Sequence, residues 1–220
     1  MSRKEKAQCI GTLTVSGAGE IKVKPDTAWI HLGVSTRGKS AQQAVIENAE
    51  RLTAVVNRIA RLGIGEESLQ SSGPTVSPII QYEEGPDKGQ ILGYAAENYL
   101  TVRASVDLAG KVFDEGVAAG ANQSSSMSFG LADEGPARQT ALALAVQAAH
   151  AEARTLAKAA SVRLGEPRSI DSAGAGGRLV ISRDAKSAST PVFPGMVAVS
   201  AQISVVYEYL YKGATPEQSR

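Results

Sequence analysis

Cysteine, histidine and long apolar stretches are nearly absent from this sequence. It contains one cysteine, Cys9, and two histidines, His31 and His150. One cysteine cannot close an internal disulfide, and neither histidine belongs to a carboxylate or cysteine cluster at metal-ligand spacing. We therefore predict no metal site and no cofactor, and we interpret all three residues as structural or surface positions.

The charge balance excludes further classes of function. The chain carries 23 basic and 22 acidic residues, a net charge of +1, so it lacks the excess positive charge with which proteins bind nucleic acids. Its apolar runs are far shorter than the roughly 18 residues that span a bilayer, so we predict no transmembrane helix. The first ten residues have a basic start but no apolar segment, so we predict no intact secretory signal.

The overall composition is that of a folded protein, with 43% apolar and 20% charged residues. We predict a single domain over residues 11–211, with flexible tails at 1–10 and 212–220. Residues 172–194 are rich in glycine, alanine and serine, which is typical of a mobile loop. Within that loop we expect at most a short strand at 179–182.

The strongest helical pattern lies between Pro136 and Ala160. Its apolar positions recur every three or four residues, the period of one helix face, at Leu142, Ala145, Ala149, Ala153, Leu156 and Ala160. Asp133 is the predicted N-cap, and Pro136 suits a first turn. Gly165 and Pro167 predict the end of the helix. Because alanine is small, we expect this helix to lie close to the strands that it covers.

Two more helices are predicted. Ser40 and Gln43 form a capping-box pattern, and an apolar stripe follows at Val45, Ala49, Leu52, Val56 and Ile59. Glu47 and Arg51 lie one turn apart and predict a weak surface ion pair. Asp107 is the predicted cap of a shorter helix whose covered side carries Leu108, Val112, Phe113 and Val117.

Most of the remaining chain alternates as β-strands do. Residues 13–23 form a strand in which Gly17-Ala18-Gly19 predicts a β-bulge. We favour the bulge over a phosphate-binding loop there, because a strand, not a helix, follows the glycines. Residues 28–34 form a second strand, with Ala28, Ile30, Leu32 and Val34 on one face and Trp29 and His31 on the other.

Later strands complete the predicted fold. Residues 69–82 contain Pro74 and Pro78, which cannot donate to a ladder, so at least part of this segment should lie at a sheet edge or bulge. Residues 91–104 return as its hairpin partner. Residues 197–209 are apolar at every second position, and predict a long strand through the centre of the sheet or into a sheet of another subunit. The pattern predicts an α+β fold, a mainly antiparallel sheet with helices on one face.

Three clusters invite hypotheses of binding or catalysis. They are the loop residues Arg178, Arg183 and Lys186, the acidic hairpin tip Glu83, Glu84 and Asp87, and the serines Ser124, Ser125 and Ser126. For phosphate binding and cation binding we favour a solvated loop in each case. The serines lack an identifiable general base, so we assign no nucleophile and no catalytic residue.

The segment from residue 117 to residue 165 resembles the core signature of the SIMPL family, domain of unknown function 541. It reads VAAGANQSSSMSFGLADEGPARQTALALAVQAAHAEARTLAKAASVRLG. Flanking segments fit as well: TLTVSGAGEIKVKPDTAWIHLGV, LQSSGPTVSPIIQY, GYAAENYLTVRA and VAVSAQISVVYEYL. The resemblance covers nearly all of residues 11–210 and rests on small residues and strand–helix order, not on a catalytic motif.

This resemblance carries functional expectations. The family includes bacterial periplasmic proteins linked to oxidative-stress defence and immunogenic proteins, which implies a periplasmic or envelope location; the missing signal leaves the cytoplasm as the alternative. It also implies a higher-order homo-oligomer, ring- or channel-like in shape. We expect a non-enzymatic protein that acts through its surfaces. Two alternatives stay open: a small-molecule or lipid binder, or weak enzyme, with a site under the 172–194 loop, and an adaptor for an unknown protein partner.

Overall fold

The structure, a computed structural model, describes residues 10–82, 88–173, 177–180 and 192–211. In this part of the chain there are nine strands, three α-helices and one short 3-10 helix (Glu66–Ser68). The strands and α-helices are β1 (Ile10–Val23), β2 (Thr27–Gly38), α1 (Ala41–Ala60), β3 (Leu69–Ser71), β4 (Thr75–Ile80), β5 (Ile91–Ser105), α2 (Val106–Ala118), β6 (Gln123–Gly130), α3 (Gly135–Ala159), β7 (Val162–Ala173), β8 (Gly177–Val180) and β9 (Met196–Tyr211). The strand pairs with a resolved register are all antiparallel. The predicted α+β class is confirmed.

The strands form two sheets, and each sheet belongs to its own compact unit. Of the described residues, the first unit contains 10–23, 133–173, 177–180 and 197–211, and the second contains 24–82, 88–132 and 192–196. The sheet of the first unit has the order β1-β9-β7, with β8 also paired to β9. The sheet of the second has the order β3-β5-β2-β6, with β4 also paired to β5.

In the second unit, α1 and α2 pack on one face of the sheet. The predicted inward face of β2 is confirmed, since Ala28, Ile30, Leu32 and Val34 are fully buried. They lie against Val55 and Ile59 of α1 and Val112 of α2 in one apolar cluster. Among the described residues of this unit, no α-helix packs on the opposite face of the sheet.

The start of α1 is as predicted, but its buried face differs. The Gln43 amide donates to the Ser40 hydroxyl at 3.2 Å, and the Glu47–Arg51 ion pair forms at 2.7 Å. The fully buried positions are Ala44, Asn48, Val55 and Ile59, whereas Ala49 of the predicted stripe is exposed. The predicted stripe is displaced because a polar residue, Asn48, lies at the centre of the buried face.

Asn48 joins α1 to the sheet. Its side-chain Nδ2 donates to the carbonyl oxygens of Val34 and Ala96, each at 2.9 Å, and so bridges β2 and β5. The side chain is 1% exposed. The Asn48 Nδ2 group is therefore fully paired, whereas the Oδ1 atom of the same amide is buried without a hydrogen-bond partner among the described residues, which costs stability.

The start of α2 corrects a prediction. Ser105, not Asp107, is the N-cap residue, and Asp107 lies in the first turn. Its carboxylate is still well placed there, because the positive end of the helix dipole favours acidic residues. Leu108 and Phe113 are partly buried as expected, but Val117 is 47% exposed.

In the first unit, α3 covers β1 and β9 with a row of alanines. The buried residues recur every four positions: Ala137, Ala141, Ala145, Ala149, Ala153 and Ala157. This confirms the centre of the predicted stripe. Leu156 is 41% exposed and Ala160 is exposed, because the true stripe follows a strict four-residue spacing that rotates away from them.

Both predicted ends of α3 are corrected. Glu134 is the N-cap residue, and the Asp133 carboxylate instead accepts from the Gly135 amide at 2.8 Å. The helix ends at Ala159, followed by Ser161 with a positive φ of 57°. Gly165 and Pro167, which were predicted to end the helix, lie within β7. The strand therefore begins earlier than predicted.

The predicted bulge at Gly17-Ala18-Gly19 is wrong. β1 and β9 pair without interruption from Ile10 opposite Leu210 to Val23 opposite Val197. These glycines instead allow α3 to lie close to β1. A Cβ on Gly17 would lie 2.0 Å from the Ala145 carbonyl oxygen, and one on Gly19 would lie 2.1 Å from the Ala141 carbonyl oxygen.

Positions of the other strands agree with the sequence. β9 lies at the centre of its sheet, with Val199, Ala201, Ile203, Val205 and Tyr207 buried. β3 and β4 both pair only with β5 at one edge. Ser172 and Ala173 of the predicted loop belong to β7, and β8 overlaps the short strand expected there. Residues 174–176 and 181–191 of that loop lie outside the described residues.

Candidate functional site

Several predicted candidates fall outside the described part of the chain. These are Cys9, the hairpin-tip residues Glu83, Glu84 and Asp87, and the loop residues Arg183 and Lys186. Arg178, Ser124 and Ser125 lie in described strands, but their side chains do not belong to the description. The hypothesis of a ligand site under residues 172–194 therefore stays a prediction.

His31 lies on the helix-free face of the second sheet. Its Nδ1 is 3.0 Å from the Thr101 hydroxyl, and its neighbour on the other side is Ser126 of β6. Among the described side chains, no hydrogen bond joins Ser126 to His31, and no carboxylate orients the imidazole. The sequence could not show this proximity, because it depends on the pairing of β2 with both neighbours.

His150 occupies a different environment, on the exposed side of α3. Its Nδ1 is 3.4 Å from the Tyr207 hydroxyl, and the two ring centroids are 5.9 Å apart. Tyr209 and Tyr211 follow on β9, with their hydroxyls 3.1 Å apart. This hydrogen bond raises the pKa of Tyr209. The alternating tyrosines of YEYLY were the available sequence signal for this aromatic row.

The described residues form no cluster of metal-ligating side chains, and a surface depression on α1 is open to solvent. No group of three or more histidine, cysteine or acidic side chains converges in the ranges that the structure covers. A depression of about 480 Å³ lies on the early turns of α1, lined by Ser40, Gln42, Gln43, Ile46, Glu47 and Glu50. A single helix surface forms it, so it cannot enclose a ligand. No helix in the described ranges has the length and apolarity to cross a membrane.

The helix-free face of the second sheet, hereafter the outer face, has the most distinctive chemistry. It carries Trp29, His31, Glu97, Tyr99, Arg103 and Gln123. Tyr99 lies over Gly33, since a Cβ there would be 3.0 Å from its ring. Trp29 lies over Gly130, where a Cβ would be 2.8 Å from the indole. Each aromatic ring thus fills the place of a missing side chain on the neighbouring strand.

A second feature is the outer edge of β1 in the first unit. Fourteen consecutive residues pair with β9 on one side, and no described strand of that unit pairs with the other side. Alternate residues Thr12, Thr14, Ser16 and Ala18 are exposed. This edge is long, regular and uncharged along most of its length.

The protein therefore has an α+β fold with two antiparallel sheets. Its two candidate interaction surfaces are the outer face of the second sheet and the outer edge of β1. The profile of the SIMPL family, described as "Protein of unknown function (DUF541)", matches residues 13–207. The chain therefore belongs to the SIMPL family, and the resemblance seen in the sequence is confirmed.

Curated relatives agree with this assignment. The chain is 31% identical to the "26 kDa periplasmic immunogenic protein" of Brucella melitensis over 89% of its own length and 84% of the relative's. The same figures hold for the protein of that name from Brucella abortus. The "Uncharacterized protein YggE" of Escherichia coli K12 is 24% identical, over 72% of this chain and 64% of that protein.

Proposed function

We propose that this protein is a non-enzymatic, self-assembling component of the bacterial cell envelope, in which copies associate through the outer edge of β1. Relatives that are named periplasmic support a location in the periplasm. A role in envelope or oxidative-stress defence is the accompanying functional proposal. It rests on the family resemblance alone.

The observation that carries the assembly proposal is the contrast between β1 and the other edge strands. Exposed edges usually contain prolines, bulges or charges that discourage pairing with another chain. β7 contains Pro167 and two shifts of register, and β4 contains Pro78 and one shift. β1 has no proline and no shift, and its exposed charges, Glu20 and Lys22, lie only near its end. Such an edge is suited to pairing with a second copy.

The test is the solution mass of the full chain, measured by size exclusion with light scattering over a range of concentrations. We expect an assembly larger than the 22.8 kDa monomer. The double substitution Thr14→Lys and Ser16→Lys places two charges on the exposed side of the edge. It should reduce the assembly to monomer, because charged lysines on an edge oppose strand pairing.

A matched control carries the same two charges elsewhere. Thr140→Lys and Thr155→Lys lie on the exposed side of α3 and should leave the mass unchanged. A wild-type chain that stays monomeric at every concentration contradicts the proposal. An assembly that persists in the β1 variant contradicts the role of this edge.

A further inference from the structure

We propose that the outer face of the second unit is a binding surface for an oligosaccharide, with Trp29 and Tyr99 as stacking platforms. This activity is independent of assembly through β1, which belongs to the first unit. The proposal rests on how the rings are held, on the polar groups between them and on the charge of the face.

The two rings are held low across neighbouring strands. The Tyr99 ring and the Gln123 side chain both occupy the space above Gly33, and the indole of Trp29 occupies the space above Gly130. The edge of each ring takes the place of a glycine side chain, and in this proposal each ring presents one face to the ligand. Tyr99 remains 36% exposed. The C–H groups of a sugar ring pack well on such a face, whose π-electrons carry partial negative charge.

Polar side chains fill the positions between and beside the rings. The strand register places His31 and Thr101 between the Trp29–Arg103 pair and the Gly33–Tyr99 pair. The Gln123 amide donates to the Glu97 carboxylate at 3.2 Å, which orients both groups. Fixed donors and acceptors beside apolar ring faces match a ligand that presents hydroxyls at its rim and C–H groups on its faces.

The spacing of the rings sets the size of the ligand. Trp29 lies opposite Arg103, and Tyr99 lies opposite Gly33, so the backbone positions of the two aromatics are four strand positions apart. The indole reaches Gly130, which pairs with Thr27, so the rings are four to six positions apart. At the usual rise this is about 13 to 20 Å along the sheet, which about three or four linked sugar rings span. A single sugar can therefore contact one ring only.

The charge of the face argues against a polyanion. Arg103 and Arg37 lie towards its two ends, and Glu97 lies between them. Single-stranded nucleic acids also stack on aromatic side chains, but they require a continuous basic groove. The acidic group within this face and the net charge of +1 for the chain favour an oligosaccharide instead.

Trp29 is the single tryptophan of the chain, so tryptophan fluorescence reports on this face alone. The experiment titrates the full-length protein with chitotetraose, cellotetraose and maltotetraose and records tryptophan fluorescence. We expect a saturable change with at least one tetrasaccharide and a far weaker response to the matching monosaccharide. Tyr99→Ala and Arg103→Ala should each weaken binding about tenfold, the loss of one good contact.

A control variant distinguishes stacking on the outer face from sugar contact with any exposed tyrosine. Tyr82→Ala removes a tyrosine that is 79% exposed beyond the end of β4, and binding should be unchanged. Arg103 is exposed, so its variant tests the site even if Tyr99→Ala fails to fold. No response to any tetrasaccharide overturns the proposal, as does retained binding in both variants. A stronger response to oligothymidylate, or a fluorescence change with protein concentration alone, also overturns it.

Discussion

At the scale of single residues, Asp26 shows how one exposed carboxylate can stabilise a turn. Its Oδ1 accepts hydrogen bonds from the Thr27 hydroxyl and from the Ala132 amide, each at 2.8 Å. Its own amide donates to the Gly130 carbonyl at 3.1 Å. The side chain therefore joins the start of β2 to the segment after β6. The Ala132 amide, followed by the Thr27 hydroxyl, lowers the pKa of Asp26.

We expect Asp26→Ala to lower the free energy of unfolding at pH 7 by at most about 1 kcal/mol, because solvent screens an exposed group. The lowered pKa fixes the pH dependence. The contribution is fully present above 3.8, the ordinary value of the carboxyl, and is lost as pH falls through the folded-state pKa below it. Urea unfolding of both proteins at pH 7 and at acidic pH measures the difference.

Asp171→Ala is the matched control for that experiment. Asp171 is an exposed residue of β7, and no hydrogen bond to its side chain is found among the described residues. Its replacement should leave stability nearly unchanged at both pH values. A constant difference between wild type and Asp26→Ala down to strongly acidic pH would contradict the role assigned to the Asp26 carboxylate.

At the scale of elements, the contact between α3 and β1 depends on small residues on both sides. Gly17 and Gly19 of β1 face the helix backbone near Ala141, Ala145 and Ala149. The helix can lie this close because its buried row is all alanine. Neither of these two glycines has a positive φ, so contact with the helix, and not backbone conformation, is the reason for glycine here.

Gly17→Ala should therefore be strongly destabilising. The new Cβ would lie 2.0 Å from the Ala145 carbonyl oxygen and 2.9 Å from the Ala149 Cβ, so α3 must shift. We expect a loss of about 3 kcal/mol, at the upper end of typical overpacking costs. Ser16→Ala, on the exposed side of the same strand, should cost little. Thermal and urea unfolding measure both, and equal stability of the two variants would refute the close contact.

Local sequence patterns predicted the buried faces of strands and the start of a helix, which depend on residues that are close in sequence. The inward faces of β2 and β9 follow from a two-residue period, and the cap of α1 follows from Ser40 and Gln43. The role of Gly17 could not be predicted, because it is set by a helix far along the chain. The end of α3 was missed because Ser161 adopts a left-handed conformation that usually favours glycine.

The outer face also combines features that the local sequence predicts with contacts that it cannot predict. Alternation placed Trp29 and His31 away from the core, as the structure confirms. It could not pair Trp29 with Gly130 or Tyr99 with Gly33, because those contacts depend on the register of three strands. The candidate surface therefore follows from tertiary structure, although each of its residues belongs to a recognisable strand pattern.

At the scale of the whole molecule, the two units differ in how the chain builds them. Residues 24–132 form most of the second unit as one continuous segment. The first unit is assembled from distant segments, since β1 pairs with β9 over fourteen residue pairs and α3 covers both. The most distant strand partners of the second unit, such as Thr27 and Gly130, therefore close a shorter loop than the partners in the first unit, such as Val23 and Val197.

This difference predicts which part of the protein folds alone. A fragment of residues 24–132 retains α1, α2 and the complete sheet order β3-β5-β2-β6, so we expect a cooperative urea transition and dispersed amide signals in its NMR spectrum. A fragment of residues 133–211 lacks β1, which leaves the alanine row of α3 and one side of β9 uncovered. It should remain unfolded, and adding a peptide of residues 10–23 should restore structure. An unfolded 24–132 fragment, or a folded 133–211 fragment without the peptide, would show that stability is not divided in this way.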